Sequence, residues 1–167
     1  MRYGLISNLR RSWSKVGVRT IQDTQQSFDN RYLFSAVSPL SGKSFHLTSI
    51  DGFDSAAAHV FLLELKKKHF NTLVIVVWDN APCHRPLVHR TIPGLIVLFL
   101  PPYSPELNPT ERFFEELRKS TANQIFKTIA EQEVVIEERL NELADDIPAM
   151  KKLLGYGWIL EQTGRVS

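Results

Sequence analysis

The sequence predicts an α/β fold with a mixed sheet, part antiparallel and part parallel. Two apolar runs, "TLVIVVWD" (72–79) and "GLIVLFL" (94–100), are continuous rather than alternating. Such runs suit strands of a parallel sheet that is covered on both faces. A third observation is the pair "RYLFSAVSP" (31–39) and "KSFHLTSI" (43–50), rich in aromatic and β-branched residues and separated by "PLSG". That pattern predicts an antiparallel hairpin.

The elements follow in order. "MRYGLIS" reads as the end of another strand, ahead of the hairpin. "DSAAAHVFLLELKKKHF" (54–70) predicts a helix capped by Asp54 or Ser55, with Val60, Leu63 and Lys67 at helical spacing. Its lysines Lys66, Lys67 and Lys68 suit a solvated helix end, where they complement the helix dipole. The first buried run leads into "NAPCHRP", a short helical or loop segment, and then into the second run. "NPTERFFEELRKSTANQIF" predicts a helix with Asn108 as its cap and Pro109 at its first position. "IAEQEVVIEERLNELADDI" predicts another, with an apolar stripe of Ile129, Val135, Ile136, Leu140 and Leu143. Gly155, Tyr156, Gly157 and Trp158 read as a packing or turn segment.

The chain has 167 residues, 43% hydrophobic and 23% charged, which is enough for one domain with its own core. Cys83 is the only cysteine, so no internal disulfide forms, and a reducing, cytoplasmic setting is expected. No stretch approaches the roughly 18 apolar residues of a membrane span. The opening residues also lack the apolar centre of a signal peptide. The net charge of +2 conceals an uneven distribution. Residues 1–31 hold Arg2, Arg10, Arg11, Lys15, Arg19 and Arg31 against Asp23 and Asp29. Residues 129–148 hold seven carboxylates against Arg139 alone. A basic amino-terminal segment is suited to phosphate contact, although scattered arginines also occur on solvated loops.

In open α/β sheets, functional groups gather at the carboxyl ends of strands. Asp79 ends the run 72–79, and Glu111 opens the helix after the run 94–100; 31 residues separate them. That interval holds a turn, a strand and a loop, so both carboxylates can reach one sheet edge. Grouped carboxylates form a hard oxygen site suited to Mg²⁺. Two such ions about 4 Å apart can activate a water or a 3′-hydroxyl and stabilise a leaving oxygen. Each acid also has a structural reading. Asp79, before Asn80 and Pro82, can start an Asx-turn. Glu111 lies three positions after Asn108, the spacing of a capping box. Glu115, one turn on, is a weaker candidate ligand. Cys83 and His84 have no second Cys/His pair at zinc spacing. His84 is a candidate DNA contact near a phosphodiester site, or else a surface histidine.

Taken together, "VVWDNAPCHRP" and "LFLPPYSPELNPTERFFEELRK" resemble the catalytic domain of DDE transposases of the mariner-like and related bacterial insertion-sequence group. In that family an aspartate lies in "D-N-x-x-x-H" and a glutamate in "P-x-Y-S-P-x-L-N-P-x-E". The matching positions are Asp79 with Asn80 and His84, and Glu111 with Tyr103, Ser104, Pro105, Leu107, Asn108 and Pro109. "RRSWSKVGVRT" is similar to the family's tryptophan-bearing basic segment, and "YLFSAVSPLSGK" to its next hairpin. The resemblance implies a ribonuclease H-like, integrase-like fold and a DNA strand transferase. It implies two Mg²⁺ or Mn²⁺ ions with Asp79 and Glu111 as direct ligands. Transposon ends and target DNA are the partners it implies, and the candidate DNA contacts are Arg10, Arg11, Lys15 and Arg19 of the basic segment together with His84. It further implies a homodimer or pairing with a full-length transposase, and no membrane partner.

The departure from the family pattern concerns the first acid. In relatives it stands in a "D-E-x-R-x-G-L" context, and alignment on "RYGL" puts it two positions before Met1. The family's helix-turn-helix DNA-binding region has no counterpart here either. Asp23, Asp29 and Asp51 do not occupy the matching place. The expectation is a single, amino-terminally truncated catalytic domain with an incomplete first strand and impaired strand cleavage and transfer. The alternative is a non-catalytic DNA-binding or subunit-interacting remnant. A ribonuclease H-like nuclease with another substrate matches "YSPELNPTE" less closely.

Overall fold

A computed structural model describes residues 1–49, 52–81, 84 and 91–163. Asp51 and Cys83, weighed above, lie outside these residues, as does most of "NAPCHRP". The element order is β1 (Arg2–Ile6), β2 (Gln26–Val37), β3 (Ser44–Ser49), α1 (Ser55–Lys68), β4 (Val74–Trp78), β5 (Leu95–Phe99), a 3₁₀ turn (Pro105–Leu107), α2 (Pro109–Ser120), α3 (Ile129–Asp145), α4 (Ile147–Leu154) and α5 (Gly157–Thr163).

Both expected sheet components are present. β1, β2 and β3 form an antiparallel sheet in that order, and β4 and β5 form a parallel pair. Among the described residues they are hydrogen-bonded as two sheets rather than one. Tyr32 of β2 faces Arg2 of β1 on one side and Ser49 of β3 on the other. The hairpin closes with Ser38 N–H donating to Lys43 C=O at 2.9 Å. Gly42 takes φ +72 there, and a Cβ on it would lie 2.9 Å from the Ile147 carbonyl oxygen. Glycine thus serves both the turn and the close approach of α4.

β2 divides the core. Successive strand residues point to opposite faces, so Leu33 and Phe34 enter different clusters. Leu33 joins Tyr3 beneath Phe113, Phe114 and Leu117 of α2, Ile136 and Leu143 of α3, and Met150 and Leu154 of α4. Phe34 joins Ala58, Phe61, Leu62 and Leu65 of α1, against which Val74, Val76, Trp78, Leu95 and Val97 pack.

Two expectations are corrected by this packing. In α1 the buried stripe is Ala58, Phe61, Leu62 and Leu65, while Val60 and Leu63 face outward. The helix is apolar on more than one side, and the aromatic Phe61 takes the core face by stacking on Phe34 at 5.6 Å between ring centroids. Among the described residues the parallel pair is covered on one face rather than two. Ile75 (54% exposed) and Val77 (55%) lie open beside their register partners Ile96 (45%) and Leu98 (51%). α1 packs on the other face, and α2, α3 and α4 pack on the antiparallel sheet instead.

His46 of β3 connects the sheet to α2. Its Nδ1 pairs with Ser35 Oγ at 3.0 Å and its Nε2 with Ser44 Oγ at 2.9 Å. Its ring lies flat on Phe113, with centroids 5.1 Å apart and planes 2° from parallel. Burial, aided by the Lys68 charge, lowers its pKa from 6.5 to about 4. Between those values the unfolded chain takes up a proton that the folded chain refuses, so stability falls as pH drops from about 6.5 to 4 and levels off below. The loss is on the order of 3 kcal/mol. Urea titrations at pH 7, 5.5 and 4 should show this decline, and His46→Gln should flatten it relative to the parent chain.

Candidate active site

Asp79 directly follows β4, where Leu100 N–H donates to Trp78 C=O at 2.7 Å and extends the pairing by one step. The chain then turns, with His84 N–H donating to Ala81 C=O at 2.9 Å. Asp79 Oδ1 accepts from Ala81 N–H at 3.2 Å and from His84 Nδ1 at 2.5 Å. The Asx-turn reading of Asp79 is therefore realised, with a histidine added. Burial pushes the Asp79 carboxyl up, but the His84 hydrogen bond and charge and the Ala81 N–H outweigh it. The net shift is below the usual carboxylate value.

His84 is not a surface residue. It is 1% exposed, its ring lying 4.5 Å from Trp78 and meeting Phe53 edge-on at 5.2 Å, centroid to centroid. Its place as a DNA contact is corrected on this ground: a side chain enclosed by two aromatic rings presents nothing to a duplex. Among the described residues its Nε2 is buried without a hydrogen-bond partner.

Glu111 opens α2. Asn108 Oδ1 accepts from Thr110 N–H at 3.0 Å, and Pro109 occupies the first helical position, as the sequence predicts. The reciprocal arm of a capping box is missing. Asn108 N–H donates to Pro105 C=O at 3.0 Å, so the 3₁₀ turn uses the donor that Glu111 would have taken. Glu111 contributes its backbone N–H to Asn108 C=O at 3.1 Å and leaves its carboxylate outside the cap. Phe113, Phe114 and Leu117 hold the helix on the sheet.

Both acids act electrostatically on the start of β1. The Met1 amino group donates to Leu33 C=O at 2.6 Å. Burial lowers its pKa to about 5, while Glu111 and Asp79 both pull it upward and Arg118 opposes them. One buried point of the sheet therefore feels both carboxylates. Among the described residues, no cluster of three or more His, Cys, Asp or Glu side chains accompanies them. Glu115 is exposed one turn along α2 and adds no third donor.

The donor chemistry fits a hard divalent cation. Asp79 offers Oδ2 beyond its engaged Oδ1, on a side chain 46% exposed. Glu111 offers a half-buried carboxylate. Mg²⁺ is commonly held by one or two carboxylates, with water and substrate phosphate oxygens completing its shell.

The basic segment lies apart from this pair, on the connection between β1 and β2. Arg11, Lys15 and Arg19 are exposed and Arg10 is half-buried. The base of the connection is tied to the stretch between α2 and α3. Arg10 N–H donates to Asn123 Oδ1 at 2.9 Å, Asn123 Nδ2 donates to Arg10 C=O at 3.2 Å, and Gln25 Nε2 donates to Phe126 C=O at 2.7 Å. Trp13 and Val16 beyond these ties are fully exposed. The sequence reading passed over the Asp79–His84 pair, although both residues stand in one motif five positions apart.

Residues 1–132 match the family model of the DDE superfamily endonuclease. The chain belongs to that family. This DDE-family chain is also 32% identical over 98 residues to the uncharacterized protein y4pE/y4sA of Sinorhizobium fredii, spanning 58% of this chain and 72% of that protein. Among solved structures, it is similar to the Mos1 strand transfer complex, with TM-score 0.63, 19% identity and 92% of this chain covered. It is also similar to the Mos1 transposase paired-end complex with left transposon end, with TM-score 0.56, 15% identity and 93% covered. These likenesses show the ribonuclease H-like fold. The chain spans 48% and 53% of those two chains. No described helix of this DDE-family chain is long and apolar enough to cross a membrane.

Because the cap belongs to Asn108 alone, its replacement should separate the two roles. Asn108→Ala should cost about 1 kcal/mol. Glu111→Gln should cost no more than the roughly 0.5 kcal/mol of a charge at a helix start. Denaturant midpoints of the two variants measure the difference.

Proposed function

We propose that this domain breaks and joins DNA phosphodiesters as a transposase does, with Asp79 and Glu111 as ligands of two divalent cations. The observation that carries the reading is the placement of Asp79 at the carboxyl end of β4 and of Glu111 in the first turn of α2, with both carboxylates acting on the buried Met1 amino group. Neither carboxylate is consumed by an ion pair with Lys or Arg among the described residues. Bound divalent cations would neutralise phosphate charge and activate the attacking hydroxyl. The chain itself fixes where the two ligands stand. β4 and its turn hold Asp79; Asn108 and Pro109 set the start of α2 and hence the position of Glu111.

With two carboxylates and no third donor among the described residues, we expect slow turnover from the 167-residue chain. Nicking of supercoiled plasmid in Mn²⁺ or Mg²⁺ tests the assignment. Slow nicking should fall at least tenfold with Asp79→Ala and with Glu111→Ala, at unchanged circular dichroism. Equal nicking by parent and variants would remove both residues from the reaction.

A second reading, DNA binding without catalysis, is favoured by the exposed basic connection between β1 and β2. Fully exposed Trp13 lies among Arg10, Arg11, Lys15 and Arg19, and interleaved cations and aromatics suit nucleic-acid contact. Replacing Arg11, Lys15 and Arg19 with alanine should weaken duplex binding and reduce the slope of log K against log salt by about 0.9 per lost phosphate contact. An unchanged slope in fluorescence anisotropy would place the DNA elsewhere. Asp79→Ala should leave this binding intact in EDTA.

A further inference from the structure

We infer that His84 is a positioning residue for Asp79, orienting its carboxylate so that Oδ2 is the atom offered to a divalent cation. The inference rests on Asp79 being a metal ligand and adds the residue that aims it.

Four observations support this role. Nδ1 of His84 and Oδ1 of Asp79 are 2.5 Å apart, and Ala81 N–H takes the same Oδ1 at 3.2 Å. Two donors converging on one carboxylate oxygen fix the carboxylate rotamer and leave the other oxygen as the open one. The histidine itself cannot easily turn. It is 1% exposed and bounded by Trp78 and Phe53, and its backbone N–H is bonded to Ala81 C=O. Its Nε2 is buried without a partner among the described residues. A ring flip would put the N–H of Nδ1 into that apolar surround and remove a donor from Asp79. The orientation is therefore strongly preferred, since an unpaired buried donor costs about 1–3 kcal/mol. Finally, Trp78 precedes Asp79 in the chain and also packs against α1. The ring that bounds His84 is thus anchored in the same core that sets β4.

Groups that orient a metal-binding side chain through a hydrogen bond commonly change metal affinity by about 10- to 100-fold when removed. A purely structural histidine would act through stability alone, and a DNA-contacting one through DNA affinity alone.

The test uses the full 167-residue chain and Mn²⁺ as probe, titrated by electron paramagnetic resonance of the free ion. His84→Asn places an amide N–H near the position of Nδ1, and His84→Gln places it near Nε2. His84→Phe keeps a flat ring between Trp78 and Phe53 without any donor. We expect His84→Asn to bind Mn²⁺ within about threefold of the parent, and His84→Gln and His84→Phe to bind about tenfold or more weakly. Thermal unfolding in EDTA should not follow that order. Duplex affinity in EDTA should be the same for all three. Equal Mn²⁺ affinity of the Asn and Gln variants overturns the inference, as does a loss of duplex affinity with Mn²⁺ binding preserved. If His84→Phe does not fold, the Asn and Gln pair decides. Asp79→Ala separates the two levels of the argument. If it leaves Mn²⁺ binding unchanged, the metal-ligand reading fails and this inference with it; if it abolishes binding while His84→Gln does not weaken it, only the inference fails.

Discussion

The alternation of Leu33 and Phe34 along β2 is the constraint on which the rest of the structure depends. Adjacent strand residues face opposite sides, so a single strand supplies the floor of two cores. One core holds α1 and, through Val74, Val76 and Trp78, the strand that ends at Asp79. The other holds α2, whose first turn carries Glu111. The Met1 amino group, bonded to the carbonyl of the same Leu33, is where both carboxylates are felt. A change in the β2 register by one residue would exchange the faces of Leu33 and Phe34 and separate the two acids along with the cores.

Around this framework the polar contacts divide into those that hold the layers and those left open. Tyr3 O–H donates to Glu133 at 3.1 Å, and Arg31 lies 3.5 Å from the same carboxylate, so the acidic α3 is tied to β1 and β2. Burial, reinforced by that carboxylate, pushes the Tyr3 hydroxyl well above its ordinary pKa. Glu116 of α2 pairs with Lys119 and Arg139, which joins α2 to α3. Half-exposed pairs of this kind contribute about 0–1 kcal/mol each, so they orient the helices more than they stabilise them. Glu111 and one oxygen of Asp79 stand outside this network, which is what a site for an external cation requires.

The clearest readings from sequence were those of local chemistry. The Asp54 and Asn108 caps, Pro109 at the helix start and the β2–β3 hairpin depend on residues within a few positions of one another. The two long motifs matched a family pattern and so pointed to the family and its fold. Less legible were the features that depend on which surface meets which. The stripe of α1 could not be chosen from a helix apolar on several sides; the ring of Phe61 against Phe34 chose it. The apolar runs of β4 and β5 carry the composition of doubly covered strands, yet α1 alone packs on them among the described residues.

The amino-acid sequence by itself determined the order of elements from β1 to α3, though not α4 and α5, together with the caps at Asp54 and Asn108 and the two acids at a strand end and a helix start. Each of these follows from short-range backbone and side-chain preferences. Tertiary structure alone decided which contacts the acids make there. Pro105 C=O, not Glu111, takes the Asn108 N–H, and this leaves the glutamate free. The burial of His84 between Trp78 and Phe53 turned a residue read as a surface contact into a partner of Asp79. Both outcomes depend on competition for one donor or one enclosed space, and such competition is settled only when distant segments pack together.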